Sequence, residues 1–331
     1  MVVNKPMEQC SNLTQICAIG LDIGGTKIAG GVVALPSGQV LLKQVMPTQP
    51  KRGGEAVLTD ALALAERLMR EANAINLNVL GMGVGVAELV DLEGNVTSEH
   101  TFAWRDTPVQ ASFARLAPAI VESDVRAAAL AEAMFGAGRA FKLFAYITVG
   151  TGISYTLVQE GRPYTGARGN ALILASSPLT TTCMECGTVL QPILDNIASG
   201  PALVARYNQR CSDHPAGRSE DVLAAATAGD LVAVQMVKTA GEALGVSAGF
   251  LVNVLDPEAV IVGGGLGLAG GLYWESFIAS TRGHIWADAA RDLPLLPAAL
   301  GADAGLIGAA ATVWRKHEEA RKRGGEEARR R

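Results

Sequence analysis

The stretch that decides the fold is residues 17–35, which read CAIGLDIGGTKIAGGVVAL. Two apolar runs, Cys17 to Ile23 and Ile28 to Leu35, flank the turn Gly24-Gly25-Thr26-Lys27, and Asp22 stands near the end of the first run. The second run contains paired valines and glycines, which suit an extended segment better than a helix. The stretch therefore predicts a strand, a glycine turn and a second strand.

The turn of this hairpin is a candidate phosphate site. Glycines let backbone N–H groups approach an anion closely, Thr26 adds a hydroxyl donor and Lys27 adds a cation. The Walker loop and the dinucleotide fingerprint differ, because each leads from a strand into a helix. We predict that Gly24, Gly25, Thr26 and Lys27 bind nucleotide phosphates. For this turn by itself, the alternative is an ordinary glycine hairpin with no ligand.

A second stretch repeats the pattern. Residues 143–158 read LFAYITVGTGISYTLV, two apolar runs around the turn Gly150-Thr151-Gly152. Two such hairpins, roughly half a chain apart, indicate a duplicated α/β unit whose halves close on a nucleotide from either side. We therefore predict that Gly150, Thr151 and Gly152 form a second phosphate turn.

Four motifs follow one another along the chain: Asp22-Ile23-Gly24-Gly25-Thr26-Lys27, Asp124 followed by Ala127-Ala128-Ala129-Leu130-Ala131-Glu132, Thr148-Val149-Gly150-Thr151-Gly152, and Ile261-Val262-Gly263-Gly264-Gly265. In this order they resemble the motifs of the ROK family of sugar kinases and repressors, which belongs to the actin-like ATPase superfamily. The resemblance runs from about Cys17 to about Val313.

The resemblance implies a two-domain actin-like ATPase fold of the ribonuclease H-like class, with duplicated mixed-sheet units around a central cleft. We expect a flexible segment 1–16, a small α/β domain 17–122, a large α/β domain 123–304 and a charged tail 316–331. The last core helix, 305–315, is expected to pack back on the small domain. The tail is interpreted either as an interaction segment or as a solvated helix that frays.

Apolar residues with helical spacing predict further helices, including Gly54–Ala74, Val125–Phe135, Val189–Ile197 and Asp230–Leu255. The stretch between Gly161 and Gly187 has no regular pattern, so we expect specificity loops there.

Phosphoryl transfer needs a phosphate cradle, a metal ion and a base beside the acceptor hydroxyl. The resemblance implies ATP and Mg²⁺. Asp22 ends a strand beside the first turn, where a carboxylate can hold Mg²⁺ directly or through water, although it could also simply cap the turn. In the family, a glycine turn like Gly263-Gly264-Gly265 lies against the adenosine, so Gly264 and Gly265 are predicted to bind ATP.

Asp124 is the candidate general base. The pattern places it at the end of a strand and the start of an alanine-rich helix, where open α/β sheets bind ligands. In the family, the acid of an Asn-Asp pair at this point is the catalytic base, and Ser123 replaces the Asn here. The alternative is that Ser123 or Asp124 is only a helix N-cap.

The predicted sugar site departs from the family pattern. Its kinases carry a Glu-x-Gly-His motif, where this chain has Asn170 in place of the Glu and Ile173 in place of the His. Asp195 stands in for a later Glu. The predicted substrate-binding residues are polar throughout: Glu88, His100, Ser123, Asp124, Asn170 and Asp195.

The acceptor itself is left open between two classes. Acidity at Glu88 and Asp195 favours a substrate with an amine, such as an aminohexose. If Glu88 points to solvent, a neutral sugar is the alternative.

Cys183 and Cys186 correspond to part of the family's zinc loop. A structural zinc takes four N or S ligands, and Ile173 cannot be one of them. We therefore expect no bound zinc and interpret the two cysteines as a remnant. The chain has five cysteines, an odd number, so a disulfide framework is not expected either.

The composition of the chain limits the classes of partner that we expect it to bind. With 331 residues and 49% hydrophobic content the chain can form two domains with proper cores. A net charge of −4 argues against nucleic acid as the main partner. No apolar run of about 18 residues and no signal peptide is present, so we expect a cytoplasmic protein with no membrane partner. Because the segment before the first hairpin is short, we expect no DNA-binding domain like that of the family's repressors.

These observations predict an ATP-dependent sugar kinase that transfers the γ-phosphoryl group of ATP to a hydroxyl of a hexose or hexose derivative. The resemblance implies a homodimer. A non-catalytic sugar or nucleotide sensor on the same scaffold is the alternative. The altered sugar and zinc motifs favour the sensor, whereas the intact phosphate turns and Asp124 favour the kinase.

Overall fold

The computed structural model describes residues 15–178 and 180–330, with side chains as far as residue 324. Two five-stranded mixed sheets, one in each half of the chain, organise it, and two further short strands pair separately. The strands are β1 (Ile16–Ile23), β2 (Lys27–Ala34), β3 (Val40–Pro47), β4 (Asn78–Val86), β5 (Ala119–Ser123), β6 (Leu143–Val149), β7 (Ile153–Gln159), β8 (Arg162–Pro163), β9 (Thr181–Thr182), β10 (Val189–Leu190), β11 (Ala259–Gly263) and β12 (Leu295–Pro297).

The helices cover the sheets and fill the space between them. They are α1 (Gly54–Ala74), α2 (Val109–Ala114), α3 (Asp124–Phe135), α4 (Asp195–Ala198), α5 (Gly200–Asn208), α6 (Ser219–Thr227), α7 (Leu231–Leu255), α8 (Gly271–His284) and α9 (Ala304–Arg330). Short 3₁₀ turns occupy Pro50–Arg52, Ala137–Ala140, Asp288–Ala290 and Gly301–Asp303.

The two sheets repeat one plan. The first has the strand order β3-β2-β1-β4-β5, and the second has the order β12-β11-β6-β7-β8. Each contains an antiparallel hairpin, β1 with β2 and β6 with β7, joined to parallel neighbours. The strand–turn–strand prediction for residues 17–35 is confirmed. The mixed sheets also fit the predicted fold class.

Local sequence signals explain where the long helices begin. The Asp230 side chain accepts hydrogen bonds from the N–H groups of Val232 and Ala233, at 2.8 and 3.0 Å, and so caps α7. Ser199 caps α5 in the same way through Ala202 N–H. α1 spans Gly54–Ala74 as predicted, because its buried residues recur every three or four positions along one face.

Helix α9 returns to the sheet of the first half, and glycines make the approach possible. A Cβ atom added to Gly20 or Gly83 would overlap the backbone carbonyl of α9, at Leu306 or Ala309. A Cβ added to Gly308 of α9 would overlap the carbonyl of Ala127 in α3. Backbone therefore packs on backbone where α9 crosses β1, β4 and α3.

The predicted helix Val189–Ile197 is wrong. Val189 and Leu190 pair with β9 as a short strand, and α4 begins only at Asp195. Pro192 explains the difference, since it disfavours helical geometry in the residue before it.

Beyond residue 315 the charged segment continues α9 as a helix as far as Arg330. Glu319 forms an ion pair with Arg162 of β8 at 3.1 Å, so this segment contacts the second sheet. Within the described residues, no single helix is long and apolar enough to cross a membrane, and only α6 and α7 taken together, bent by 117°, pass such a test.

The packing of α9 gives a first prediction. We expect Gly83→Ala to lower the free energy of unfolding by about 3 kcal/mol, because the carbonyl it would overlap belongs to helix backbone that cannot rotate away. Urea denaturation measures this. Gly283→Ala in α8 is the control, since an added Cβ there meets no atom within 4 Å. A Gly83→Ala variant as stable as the unaltered protein would contradict the described packing.

Candidate active site

Two cavities meet at Asp124. The larger has a volume of about 390 Å³ and the smaller about 230 Å³. Asp124 and Thr148 line both of them. The predicted residues that line the larger cavity are Gly24, Gly25, Glu88, His100, Ser123, Gly150, Thr151, Gly152 and Asp195. Those that line the smaller cavity are Asp22, Lys27, Gly264 and Gly265.

The two predicted phosphate turns face each other. The Thr26 and Thr151 hydroxyl oxygens are 3.0 Å apart, although the residues are 125 positions apart in sequence. Each turn is closed by its own backbone: Gly24 N–H donates to the Lys27 carbonyl at 3.0 Å, and Gly150 N–H donates to the Gly152 carbonyl at 2.9 Å. The fold therefore brings both turns together at the wall of the larger cavity, while Lys27 lines the smaller one.

The third glycine turn lies beside the second phosphate turn. Gly264 has a φ of +83°, and a Cβ there would overlap the backbone of Val149 at the end of β6. Gly265 differs, because an added Cβ would meet no protein atom within 4 Å. The packing thus requires glycine at position 264, while the bare backbone at position 265 leaves room in the smaller cavity.

Asp22 presents an oxygen ligand to the smaller cavity. Burial raises the pKa of its carboxyl to about 6, and the charge of Lys27 opposes that rise. Within the described residues no hydrogen-bond donor reaches the carboxylate oxygens of Asp22. The alternative that Asp22 only caps the turn is therefore supported by no observed contact. Such a carboxylate suits a hard divalent cation.

Asp124 is the first residue of α3, immediately after β5. Burial is the main reason that the pKa of its carboxyl rises to about 7, and the charge of Asp22 raises it further. The Val125 N–H, which donates to Oδ1 at 2.6 Å, and the charge of Arg126 lower it. Ser123 occupies the N-cap position without a side-chain capping bond. A carboxyl with a pKa near 7 can accept a proton at neutral pH.

Arg126 is a structural residue that the sequence did not single out. It is 5% exposed, and its Nε donates to Glu122 Oε1 at 2.6 Å. Its Nη1 donates to the Gly169 carbonyl at 2.6 Å and its Nη2 to the Val90 carbonyl at 2.8 Å. One guanidinium therefore joins the start of α3 to loops from both halves of the chain. An arginine in an alanine-rich helix gives no sequence signal for burial.

Glu88 anchors a loop. The Ser98 hydroxyl and the His100 N–H donate to its Oε2, the latter at 3.0 Å. The N–H groups of Thr101 and Phe102 donate to its Oε1 at 2.6 and 2.7 Å. These four donors match the roughly four lone-pair sites of a carboxylate. Glu88 is 6% exposed, so the alternative in which it points to solvent is wrong.

Asp195 keeps more free hydrogen-bonding capacity than Glu88. Its Oδ1 accepts the Ile153 N–H at 2.8 Å and its Oδ2 accepts the Ser176 hydroxyl at 2.7 Å. Each oxygen has a further lone pair open. The side chain thus fixes the strand that follows the second phosphate turn and still faces the larger cavity.

The structure does not bring Asn170 into the larger cavity. Its side chain is exposed, and it is not among the residues that line either cavity. Arg126 holds the preceding carbonyl, and the positive φ of Gly169 and Leu172, +77° and +61°, turns the chain. The wall on this side is instead mainly apolar: Ala171, Leu172, Ile173, Leu174, Ala175 and Ser176.

The cysteine loop brings Cys183 and Cys186 close together. Cys186 Sγ lies 3.1 Å from Thr188 Oγ1, and hydrogen bonds involving Thr188 and Cys183 lower the pKa of its thiol to about 7. Among the described residues no group of three or more His, Cys, Asp or Glu side chains could hold a metal ion. Two sulfurs are too few for a closed zinc site.

A second residue that sequence analysis missed is Thr156. This residue lines the larger cavity and is 2% exposed. Its Oγ1 has no hydrogen-bond partner within the described part of the chain. A threonine inside an apolar strand looks like an ordinary β residue, so only the structure identifies it.

The raised pKa of Asp124 has a measurable consequence for stability. A carboxyl whose pKa is raised in the folded state does not lower the free energy of unfolding at pH values well below its usual pKa of 3.8. Above about pH 7 it lowers that free energy by its full amount. We therefore expect Asp124→Asn to unfold at a higher temperature than the unaltered protein at pH 8, with the difference vanishing towards pH 4. Thermal unfolding across this pH range tests it. Exposed Asp213→Asn is the control, and a difference independent of pH would contradict the burial of Asp124.

Comparisons with known proteins place this geometry in a family. The model of the ROK family matches residues 18–316. A glucokinase of Streptomyces coelicolor is 32% identical over 315 residues, which cover 88% of this chain and 96% of that protein.

Two solved structures are similar over nearly their whole length. One is a ROK family glucokinase from Streptomyces griseus in complex with glucose and AMPPNP, with 30% identity, a TM-score of 0.77 and coverage of 89% of this chain and 98% of that one. The other is the ROK hexokinase from Thermus thermophilus, with 33% identity, a TM-score of 0.73 and coverage of 92% and 99%. These matches confirm the predicted actin-like fold class, and the chain belongs to the ROK family.

Proposed function

We propose that this chain is an ATP-dependent sugar kinase, which transfers the γ-phosphoryl group of ATP to a hydroxyl of a hexose or hexose derivative. The observation that carries the proposal is the position of Asp124, which lines both cavities at their junction. A base between a nucleotide cavity and an acceptor cavity is what phosphoryl transfer to a hydroxyl requires. The kinases among its relatives support the same activity.

The smaller cavity is the proposed nucleotide cavity. Gly264 and Gly265 would leave space for the adenosine, and Lys27 would offer its charge to the phosphates. The terminal phosphate would lie beside the two glycine turns, whose Thr26 and Thr151 hydroxyls meet. Backbone N–H groups of both glycine turns would stabilise the charge on the transferring group.

The larger cavity is the proposed acceptor cavity. As the acceptor oxygen forms its bond to the γ-phosphorus, the bond to the β-phosphate oxygen breaks and ADP leaves. The acceptor proton passes to the Asp124 carboxylate, which must be ionised beforehand. Because the pKa of Asp124 is about 7, activity would decline as the pH falls below that value.

Mg²⁺ is the proposed metal, and Asp22 is the residue that would hold it. The carboxylate oxygens of Asp22 have no donor among the described residues, and they face the nucleotide cavity beside Lys27. Mg²⁺ bound there would neutralise phosphate charge.

The geometry bears on the acceptor class. Glu88 has no lone pair left for an amine, so the aminohexose that the sequence suggested would have to bind through Asp195 and Asp124. Asp195, His100 and Ser123 can all hydrogen-bond a neutral hexose. We therefore propose a hexose or hexose derivative and treat an aminohexose as one member of that class.

The homodimer and the cytoplasmic location stay predictions, as do the absence of nucleic-acid and membrane partners. Sedimentation velocity at assay concentration tests whether the protein is a homodimer.

The proposed function is tested by ATP consumption with a panel of hexoses, aminohexoses and N-acylated hexosamines. We expect turnover that depends on one sugar and that falls at least about 10³-fold in Asp124→Asn, because the acceptor proton then has no base. Asp213→Asn serves as the matched control. If the protein binds ATP but no sugar raises turnover, the sensor alternative replaces the kinase.

The proposed metal site is tested separately. We expect Asp22→Asn to raise the Mg²⁺ concentration that gives half-maximal turnover by about tenfold, while the KM for the sugar stays unchanged, since the side chain faces the nucleotide cavity only. An unchanged Mg²⁺ dependence would show that the ion is held by other groups.

A further inference from the structure

The acceptor cavity contains a buried hydroxyl that has no role in the proposed phosphoryl transfer. Thr156 lies on β7, opposite Tyr146 of β6, and two residues beyond Ser154, which lies opposite Thr148. Ser154 and Thr156 both line the acceptor cavity. Since side chains two residues apart on a strand point to the same face about 7 Å apart, Thr156 lies deeper from the phosphate turn than Ser154.

Beyond Thr156 this face of β7 is apolar. The next residue on this face of β7, Val158, packs with Val125 and Ala128 of α3. Ile153 and Tyr155 point to the opposite face, into the core formed with α7. The Thr156 hydroxyl is thus buried between the polar end of this face and the apolar core, and it has no partner among the described residues.

A buried hydroxyl without a partner costs free energy, and such groups are rare in native proteins. Valine would have the same shape and would avoid this cost. A hydroxyl at the wall of a cavity that receives a polyhydroxy ligand can, however, gain its hydrogen bond when the ligand binds. Threonine can then serve either as donor or as acceptor.

We propose that Thr156 is a specificity determinant of the acceptor cavity, and that its Oγ1 hydrogen-bonds a sugar hydroxyl other than the one that Asp124 deprotonates. This inference rests on the proposed function, because it needs a polyhydroxy acceptor. A sugar that lacks the matching hydroxyl would leave Thr156 unpaired in a closed cavity. Sites built in this way discriminate against such analogues.

The test compares Thr156→Val with the unaltered protein on one sugar and its set of monodeoxy analogues. We expect the unaltered protein to prefer the parent sugar over one analogue by about tenfold or more in kcat/KM. Tenfold corresponds to about 1.4 kcal/mol. In Thr156→Val that single preference should fall to within about twofold, while the preferences at the other positions remain.

Thermal unfolding without sugar separates this role from a structural one. Thr156→Val should unfold at the same or a higher temperature, because the substitution removes a hydroxyl with no protein partner. Thr281→Val is the matched control: Thr281 is also fully buried, but its Oγ1 donates to the Phe277 carbonyl at 2.8 Å within α8. That variant should lose stability and keep every sugar preference.

Several results would overturn the proposal. If Thr156→Val keeps all the preferences, its hydroxyl does not contact the sugar. If it loses stability and keeps the preferences, the hydroxyl is bonded to a buried water in both states. Should Thr156→Val fail to fold, Thr156→Ser and Thr156→Ala differ by the hydroxyl alone, and only the serine variant should retain the preference.

Binding measurements keep this inference distinct from the proposed function. Calorimetric titration with the parent sugar and the deoxy analogues needs no phosphoryl transfer. Binding with the same loss of preference in Thr156→Val, but without turnover, would support the role of Thr156 and contradict the kinase. If no sugar binds the unaltered protein at all, both ideas are wrong.

Discussion

The ion pair between Arg126 and Glu122 is the interaction on which the site depends. Both charges are largely withdrawn from water, with side-chain exposures of 6% and 19%. The desolvation of such a pair offsets most of its attraction, whereas loss of one partner costs roughly 3–5 kcal/mol because the other charge is left uncompensated. The contribution of the pair is therefore positional, because the same guanidinium fixes the Gly169 carbonyl in the wall of the acceptor cavity and the Val90 carbonyl next to its lining residue Leu89.

A second constraint acts from behind the site. Glycines in β1 and β4 let the backbone of α9 approach strand backbone, and a glycine in α9 lets it approach the backbone of α3, so α9 is fixed against the first sheet and α3 against α9. α3 carries Asp124 at its first residue, while α9 begins beside Asp22. Two carboxyls with raised pKa values, Asp22 and Asp124, are therefore held by rigid elements at the smaller cavity. Their burial disfavours the charged form of each, so either a cation or a proton is stabilised there.

Sequence patterns predicted the structural features that depend on residues close in sequence and missed the contacts between residues far apart in sequence. The hairpins and α1 follow from local apolar spacing and glycine turns, and the structure confirms both. The order of the glycine motifs identified the family. Asn170 failed to reach the cavity because two left-handed residues and a contact from Arg126 set the loop, which spacing cannot reveal. The roles of Arg126 and Thr156 depend on burial, and burial cannot be predicted from an arginine or a threonine in the sequence.

The acceptor cavity combines groups of two kinds. Glu88 and Arg126 have their hydrogen-bonding capacity filled, or nearly filled, by the protein itself, so they define the shape of the cavity and offer little to a ligand. Asp195, Asp124 and Thr156 retain open capacity. Recognition therefore falls on the second kind, and acidity alone is a poor guide to it. A carboxylate can bind a ligand only with the lone pairs that its protein donors leave free. Glu88 therefore suggested an amine site in the sequence, but in the structure it anchors a loop.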